Sequence, residues 1–221
     1  MEVNLVQSQD EIVLVEIARV SSSRSEDEKR DEPDRLINYL IKNQHWSPFE
    51  HTYMTLEFYT SRAIATQFLR HRSFTFQQFS LRYAEATGFE DIEIRKQAEH
   101  NRQSSEDVFS PKLNEVNPAR LNQDDYGDYN VDRAIDEFLD HSERLYNELI
   151  NKGVAREQAR FILPLNTQTR MYMTGCIRSW IHMIQLRDDQ HAQKEARLIA
   201  QEAKKIFCEQ FPITAKALEW V

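Results

Sequence analysis

A single α+β domain is the fold class this sequence predicts, and three observations carry the prediction. Residues 52–60, TYMTLEFYT, alternate strictly between two faces. The second half of the chain places apolar residues at helical spacing. No internal repeat or linker divides its 221 residues, a length that buries a sizeable core in one domain.

The elements follow in order. Val3 and Leu5 alternate weakly and EIVLVEIARV then runs apolar, which predicts an early strand and the start of a helix. SSSRSEDEKRDEP (21–33) is a polar connector, and the Asp31–Asp34 region carries helix N-cap chemistry. Leu36, Ile37, Leu40 and Ile41 then repeat with the period of a helix of about two to three turns. QHWSPFEH (44–51) ends it, with Pro48 setting Ser47 in an extended or turn geometry. In TYMTLEFYT, Thr52, Met54, Leu56 and Phe58 share one face, and Tyr53, Thr55, Glu57 and Tyr59 the other. Ser61 is placed to cap a helix, RAIATQFLR. FEDIEIRK (89–96) predicts a second strand through Phe89, Ile92 and Ile94. Residues 98–130, polar and broken by Pro111 and Pro118, predict a long surface excursion, and loops of that length often carry function.

Beyond it, Ile135, Phe138, Leu139, Ser142, Leu145, Tyr146, Leu149 and Ile150 form a broad helical stripe, stopped at Gly153. AREQARFILPL predicts a short helix cut by Pro164. A further helical run is expected over 167–186. Asp188 and Asp189 then offer a cap for a last helix reaching Cys208.

Composition narrows the function. Acidic residues number 36 against 28 basic ones, a net charge of −8, so positive charge is local rather than global. That argues against a nucleic-acid partner, which leaves a basic footprint, and favours a small anion in a pocket. No apolar run approaches the roughly 20 residues of a membrane span. The first residues lack a basic stretch followed by an apolar one, and Cys176 and Cys208 sit without metal-ligand spacing in segments read as helical. Both features predict a cytoplasmic protein with neither disulfide nor bound metal. Only Gly88, Gly127, Gly153 and Gly175 occur, and none builds a Rossmann or Walker loop. Phosphate must then be held by side chains and helix ends.

RHRSFTFQQFSLRY (70–83) concentrates that local charge. Arg70, His71 and Arg72 follow a helix, where cations complement the negative end of the dipole, and a surface patch is the plain alternative. Gln77, Gln78, Ser80 and Arg82 add directional donors and acceptors, while Phe74, Phe76, Phe79 and Tyr83 add stacking surface. Arginine forks match phosphate, and the set as a whole suits a nucleotide. In QHWSPFEH, His45, Glu50 and His51 lack a third metal ligand at helical spacing, and Ser47 with Glu50 also fits a capping box. Arg156 and Arg160 lie on one helical face, as do Arg178, His182 and Gln185. Arg187 points the opposite way from Arg178 on a continuous helix, but Asp188–Asp189 suggest a break there, which leaves its direction free to converge.

RHR, seven residues, then Ser-x-Arg resembles the signature of the flavin-dependent thymidylate synthases. ARVS (18–21), SPFEH (47–51), QFLRHR (67–72), AREQARFILPLNTQTR (155–170) and IRSWIHMIQLRDDQHAQ (177–193) resemble that family's motifs in order and approximate spacing. The resemblance implies a small antiparallel sheet packed with long helices, in a homotetramer with shared active sites. It implies conversion of dUMP to dTMP, with 5,10-methylenetetrahydrofolate as carbon donor and NADPH-reduced FAD as hydride source. It also implies that no protein nucleophile takes part, so Ser80 binds substrate rather than attacking it. By position it assigns Gln67, Arg70, Gln78, Ser80, Arg82, Arg160 and Arg187 to dUMP. Ser47, Arg70, His71, Arg72, Gln78, Cys176, Arg178 and His182 are assigned to FAD. Arg187 is further expected to favour ionisation at N3 of the pyrimidine, and His45 to lie beside flavin and substrate. Gln78 stands where many members carry glutamate, Leu81 where some carry glycine, and Cys176 and His182 where some carry asparagine.

Overall fold

The computed structural model describes residues 1–20, 33–102, 104–113 and 130–221. Its elements begin with β1 (Glu2–Ser8), α1 (Ile12–Ala18), α2 (Pro33–Lys42), a 3-10 turn at Ser47–Glu50, β2 (Tyr53–Ser61), α3 (Arg62–Phe68) and β3 (Thr75–Gln78). β4 (Arg95–Gln97), β5 (Ser105–Val108), α4 (Val131–Asn151) and α5 (Arg156–Ala159) follow, α5 running into a 3-10 turn at Arg160–Ile162. The chain continues with β6 (Gln168–Cys176), α6 (Ile177–Arg187), α7 (Lys194–Gln210) and α8 (Pro212–Ala217). The fold is α+β, with a small antiparallel sheet in the order β1-β2-β6-β3 and a separate β4-β5 pair. Two compact units result: Met1–Tyr59 with Ile64–Gln78 and Arg170–Val221, and Thr60–Ala63 with Phe79–Thr169.

The first unit holds the main core. Met54, Leu56 and Phe58 on β2 are fully buried, as the alternation of TYMTLEFYT requires, and Met171 and Met173 continue that layer on β6. Each such side chain contributes about 1.5–3 kcal/mol on leaving water. Trp180 of α6 packs edge-on against Phe74 and Phe58, its ring centroid 4.9 and 6.4 Å from theirs. Its indole N–H donates to the Met54 carbonyl at 3.0 Å, so the polar tip is satisfied inside the core. α7 buries Ala196, Ala200 and Ala203 beside Ile199 and Phe207, small residues that let the helix approach closely. Buried Glu11 accepts from the backbone N–H groups of Ile213 and Thr214 and from the Thr214 hydroxyl, tying α1 to α8.

In the second unit Asn130 caps α4 through the Arg133 N–H, and Gly153 follows the helix end at φ +82°, a conformation that favours glycine. Of the stripe read on α4, Ser142 and Tyr146 are buried while Phe138 remains 55% exposed. Pro164 lies past the short helix, as expected.

Four expectations are corrected. The run over 167–186 is not one helix: β6 occupies Gln168–Cys176, and α6 begins at Ile177. The period there is two, with Thr169, Met171, Met173 and Gly175 buried and Gln168 and Arg170 exposed. Cys176 therefore ends a strand. The strand expected at 89–96 shrinks to a single bridge, Phe89 to Thr167, and β4 starts only at Arg95. The excursion at 98–130 is not wholly irregular, since β5 pairs with β4; residues 103 and 114–129, like the connector over 21–32, lie outside the described residues. Asp188 and Asp189 do not cap α7, whose N-cap is Gln193. Asp188 instead pairs with Gln201 and Lys204, and Asp189 accepts from the His191 backbone.

Candidate functional site

α6 starts where β6 stops, and its outer face repeats at helical spacing: Arg178, Ile181, His182, Gln185. These residues line a cavity of about 520 Å³ together with Ser73, Ser179, Trp46 and Glu50. The volume lies within the range of small-molecule sites. Arg178 pairs with Glu50, and both side chains are about half exposed. Cys176 Sγ lies 3.3 Å from Ser179 Oγ at the N-terminal end of α6. One guanidinium, two hydroxyls, an imidazole and an amide, with Trp46 and Ile181 as apolar surface, form a donor set suited to a planar ligand carrying phosphate.

The other end of α6 is organised differently. α6 ends at Arg187 with Asp188 as its C-cap, so the helix breaks at Asp188–Asp189 as expected, with Arg187 in its last turn. Arg187 donates from Nε to His71 Nε2 at 3.1 Å, and from its two terminal nitrogens to Gln67 Oε1 at 3.3 Å and the Gln67 carbonyl at 2.9 Å. His71 is buried, and its pKa falls to about 4 through desolvation first, then the charges of Arg187 and His182. It is therefore neutral near pH 7, with Nε2 as acceptor and the proton on Nδ1. Burial also lowers the Arg187 pKa.

Ser80, Arg82 and Arg160 belong to the second unit. Arg82 lies 3.7 Å from the Glu157 carboxylate, and its backbone N–H donates to Ser80 Oγ at 3.3 Å. Arg160 donates to the Glu157 carbonyl at 3.3 Å and sits over the Phe161 ring. Arg156 turns instead to Glu85, so the shared helical face read for Arg156 and Arg160 is divided where α5 gives way to the 3-10 turn.

The expected residues thus fall into distinct places. Gln67, His71 and Arg187 are in contact; Arg178 and His182 share the cavity. Cys176 adjoins that cavity through Ser179. Arg70 and Arg72 are exposed beyond α3, and Gln78 lies on β3 opposite Met171. Ser47 and His45 are exposed and outside the cavity lining, His45 standing edge-on to Tyr39 at 5.8 Å. No capping box forms, since Ser47 begins the 3-10 turn without a side-chain cap and Glu50 is engaged by Arg178.

Several residues escaped the sequence. Trp46, Ser73 and Ser179 line the cavity. Gln193 accepts from Gln67 Nε2 at 2.6 Å across 126 positions, a separation no local pattern spans. Arg62 did leave a signal, a cation in the first turn of α3 against the dipole preference. Its guanidinium donates to the Phe79 carbonyl, and desolvation followed by the Arg160 charge lowers its pKa.

The protein has a glycine-poor α+β fold with a polar cavity that bears an arginine and is of a size for a small ligand. A family model described as thymidylate synthase complementing protein matches residues 4–213. The flavin-dependent thymidylate synthase of Synechocystis is 48% identical over 203 residues, 92% of this chain and 86% of that protein. A probable flavin-dependent thymidylate synthase of Paramecium bursaria Chlorella virus 1 is 44% identical over 84% of this chain and 80% of its own. The flavin-dependent thymidylate synthase of Thermosipho melanesiensis is 35% identical over 93% of this chain and 84% of its own. The chain belongs to the flavin-dependent thymidylate synthase family.

Proposed function

We propose that the protein methylates dUMP to dTMP, using 5,10-methylenetetrahydrofolate as carbon donor and NADPH-reduced FAD as hydride source, as a homotetramer. The Arg187 cluster carries the proposal. Three of the five guanidinium donors are fixed by His71 and Gln67, leaving two for a pyrimidine edge. A cation held this way, and partly desolvated, stabilises negative charge as it develops on the pyrimidine and favours its N3-deprotonated form. Arg70, Ser80, Arg82 and Arg160 are assigned to the phosphate and sugar, and Gln67 and Gln78 to the remaining edges.

Arg178 and His182, on the cavity face of α6, would hold FAD, with Ser47, Arg70, His71, Arg72, Gln78 and Cys176 as further contacts and His45 nearby. The donor set lining the cavity fits a flavin nucleotide. When bound and reduced, FAD supplies the hydride; the residues of this chain orient and desolvate. No nucleophile is assigned to the protein.

The test is conversion of dUMP by the purified protein with methylenetetrahydrofolate and NADPH, with and without added FAD. Thymidylate formed only when FAD is present is the expected result. Failure of the FAD-loaded protein either to bind dUMP or to form thymidylate overturns the proposal.

A further inference from the structure

Resting on the function just proposed, we infer that Gln193 is a positioning residue: it fixes the orientation of the Gln67 amide and, through it, the donors that Arg187 presents to the nucleotide. A directed chain of hydrogen bonds runs through it. Arg187 Nη1 donates to Gln67 Oε1 at 3.3 Å, Gln67 Nε2 to Gln193 Oε1 at 2.6 Å, and Gln193 Nε2 to Glu195 Oε2 at 2.9 Å. The ends dictate the direction. A guanidinium only donates and a carboxylate only accepts, so two amides between them have one arrangement that satisfies every bond. Turning either amide by half a rotation sets N–H against N–H or oxygen against oxygen.

The placement of Gln193 supports this role independently. It occupies the N-cap position of α7, where a side chain ordinarily binds the helix's own N–H groups, yet it makes no such bond. Its amide is committed to Gln67 and Glu195 instead. Glu195 lies in the first turn of α7, where the dipole favours a carboxylate, so the accepting end of the chain is anchored. Neutral His71 fixes the opposite side of Arg187 through Nε. Arg187 is thus aimed from two directions, and Gln193 governs one of them without touching substrate.

The test measures dUMP affinity by calorimetry on the FAD-loaded protein. Gln193→Ala removes the link, and Gln193→Glu opposes two carboxylates. Each weakens dUMP binding about three- to tenfold, the scale of one net hydrogen bond. The double variant Gln193→Glu with Glu195→Gln restores the polarity, because the new amide donates to the new carboxylate while Gln67 keeps its acceptor. Recovery to within about twofold of the parent is expected. Unchanged affinity in the single variants, or a double variant as weak as the worse single one, overturns the inference. A parent protein that does not bind dUMP refutes the assigned function instead. A crystal structure of Gln193→Ala then decides: a Gln67 side chain displaced from Arg187 supports the chain, and an unmoved one overturns it.

Discussion

Two ends of one helix hold two arginines in opposite ways. Arg178 and Arg187 lie nine positions apart on α6, half a turn out of phase at about 3.6 residues per turn, and so serve different neighbourhoods. Arg178 reaches into an open cavity and is countered by a half-exposed carboxylate. Arg187 is partly buried and fastened by neutral acceptors, His71 and Gln67. A carboxylate neutralises the charge it holds, whereas an imidazole and an amide aim the charge and leave it available. Under the proposed function, the first would grip a ligand and the second would polarise one.

The largest effect should follow from changing the polarising end. Arg187→Lys keeps the charge but has three donors on one nitrogen in place of a fork. It cannot bind His71, Gln67 and a pyrimidine together. Steady-state kinetics should give kcat/KM for dUMP lowered by about 100-fold, near 2.7 kcal/mol of lost stabilisation. A loss below about tenfold would mean that the fork is not used.

Gly175 links the two ends. A Cβ placed there would come within 2.4 Å of the Phe74 ring, which stands edge-on to His71 at 6.2 Å and to Trp180 at 4.9 Å. Gly175→Ala must displace Phe74, and overpacking of this kind costs about 1–3 kcal/mol. Denaturant unfolding should show the loss. dUMP affinity should fall with it if Phe74 supports His71, and FAD affinity alone if the strain is relieved toward Cys176.

The pH response tests whether His71 is neutral. Its folded pKa of about 4 lies below the ordinary histidine value of 6.5, so the unfolded chain binds the extra proton first. The associated stability is present in full above pH 6.5 and is lost as pH falls through 4. Its size should be about 1–3 kcal/mol, read from denaturant midpoints across that window, and His71→Gln should flatten the dependence. A parent protein with the same slope as the variant would place the proton elsewhere.

How much of this was legible follows from the range of each signal. The alternation of Met54, Leu56 and Phe58 is local, and the strand followed from it. The shared face of Arg178, His182 and Gln185 needed only helical period, and the cavity bears it out. β6 was misread because methionine and threonine sit in either element, and the deciding alternation at Met171 and Met173 competes with the strongly helical run after Cys176. The break suggested by two aspartates was legible, since α6 ends at Arg187 and Asp188 caps it, but the partners of Arg187 were not, because His71 and Gln67 lie more than a hundred positions away. The amide chain from Gln67 to Gln193 was out of reach, since two glutamines 126 positions apart announce nothing until the fold joins them.

The gripping end should give the smallest response. Glu50 competes with any bound phosphate for Arg178, but both side chains are about half exposed and solvent screens the pair. Glu50→Gln removes that competitor while preserving size. FAD affinity, followed by flavin fluorescence, should tighten by about two- to threefold, with fold stability changed by less than about 1 kcal/mol. If FAD binding weakens instead, Glu50 aims Arg178 as Gln67 and His71 aim Arg187, and the two ends of α6 share one design.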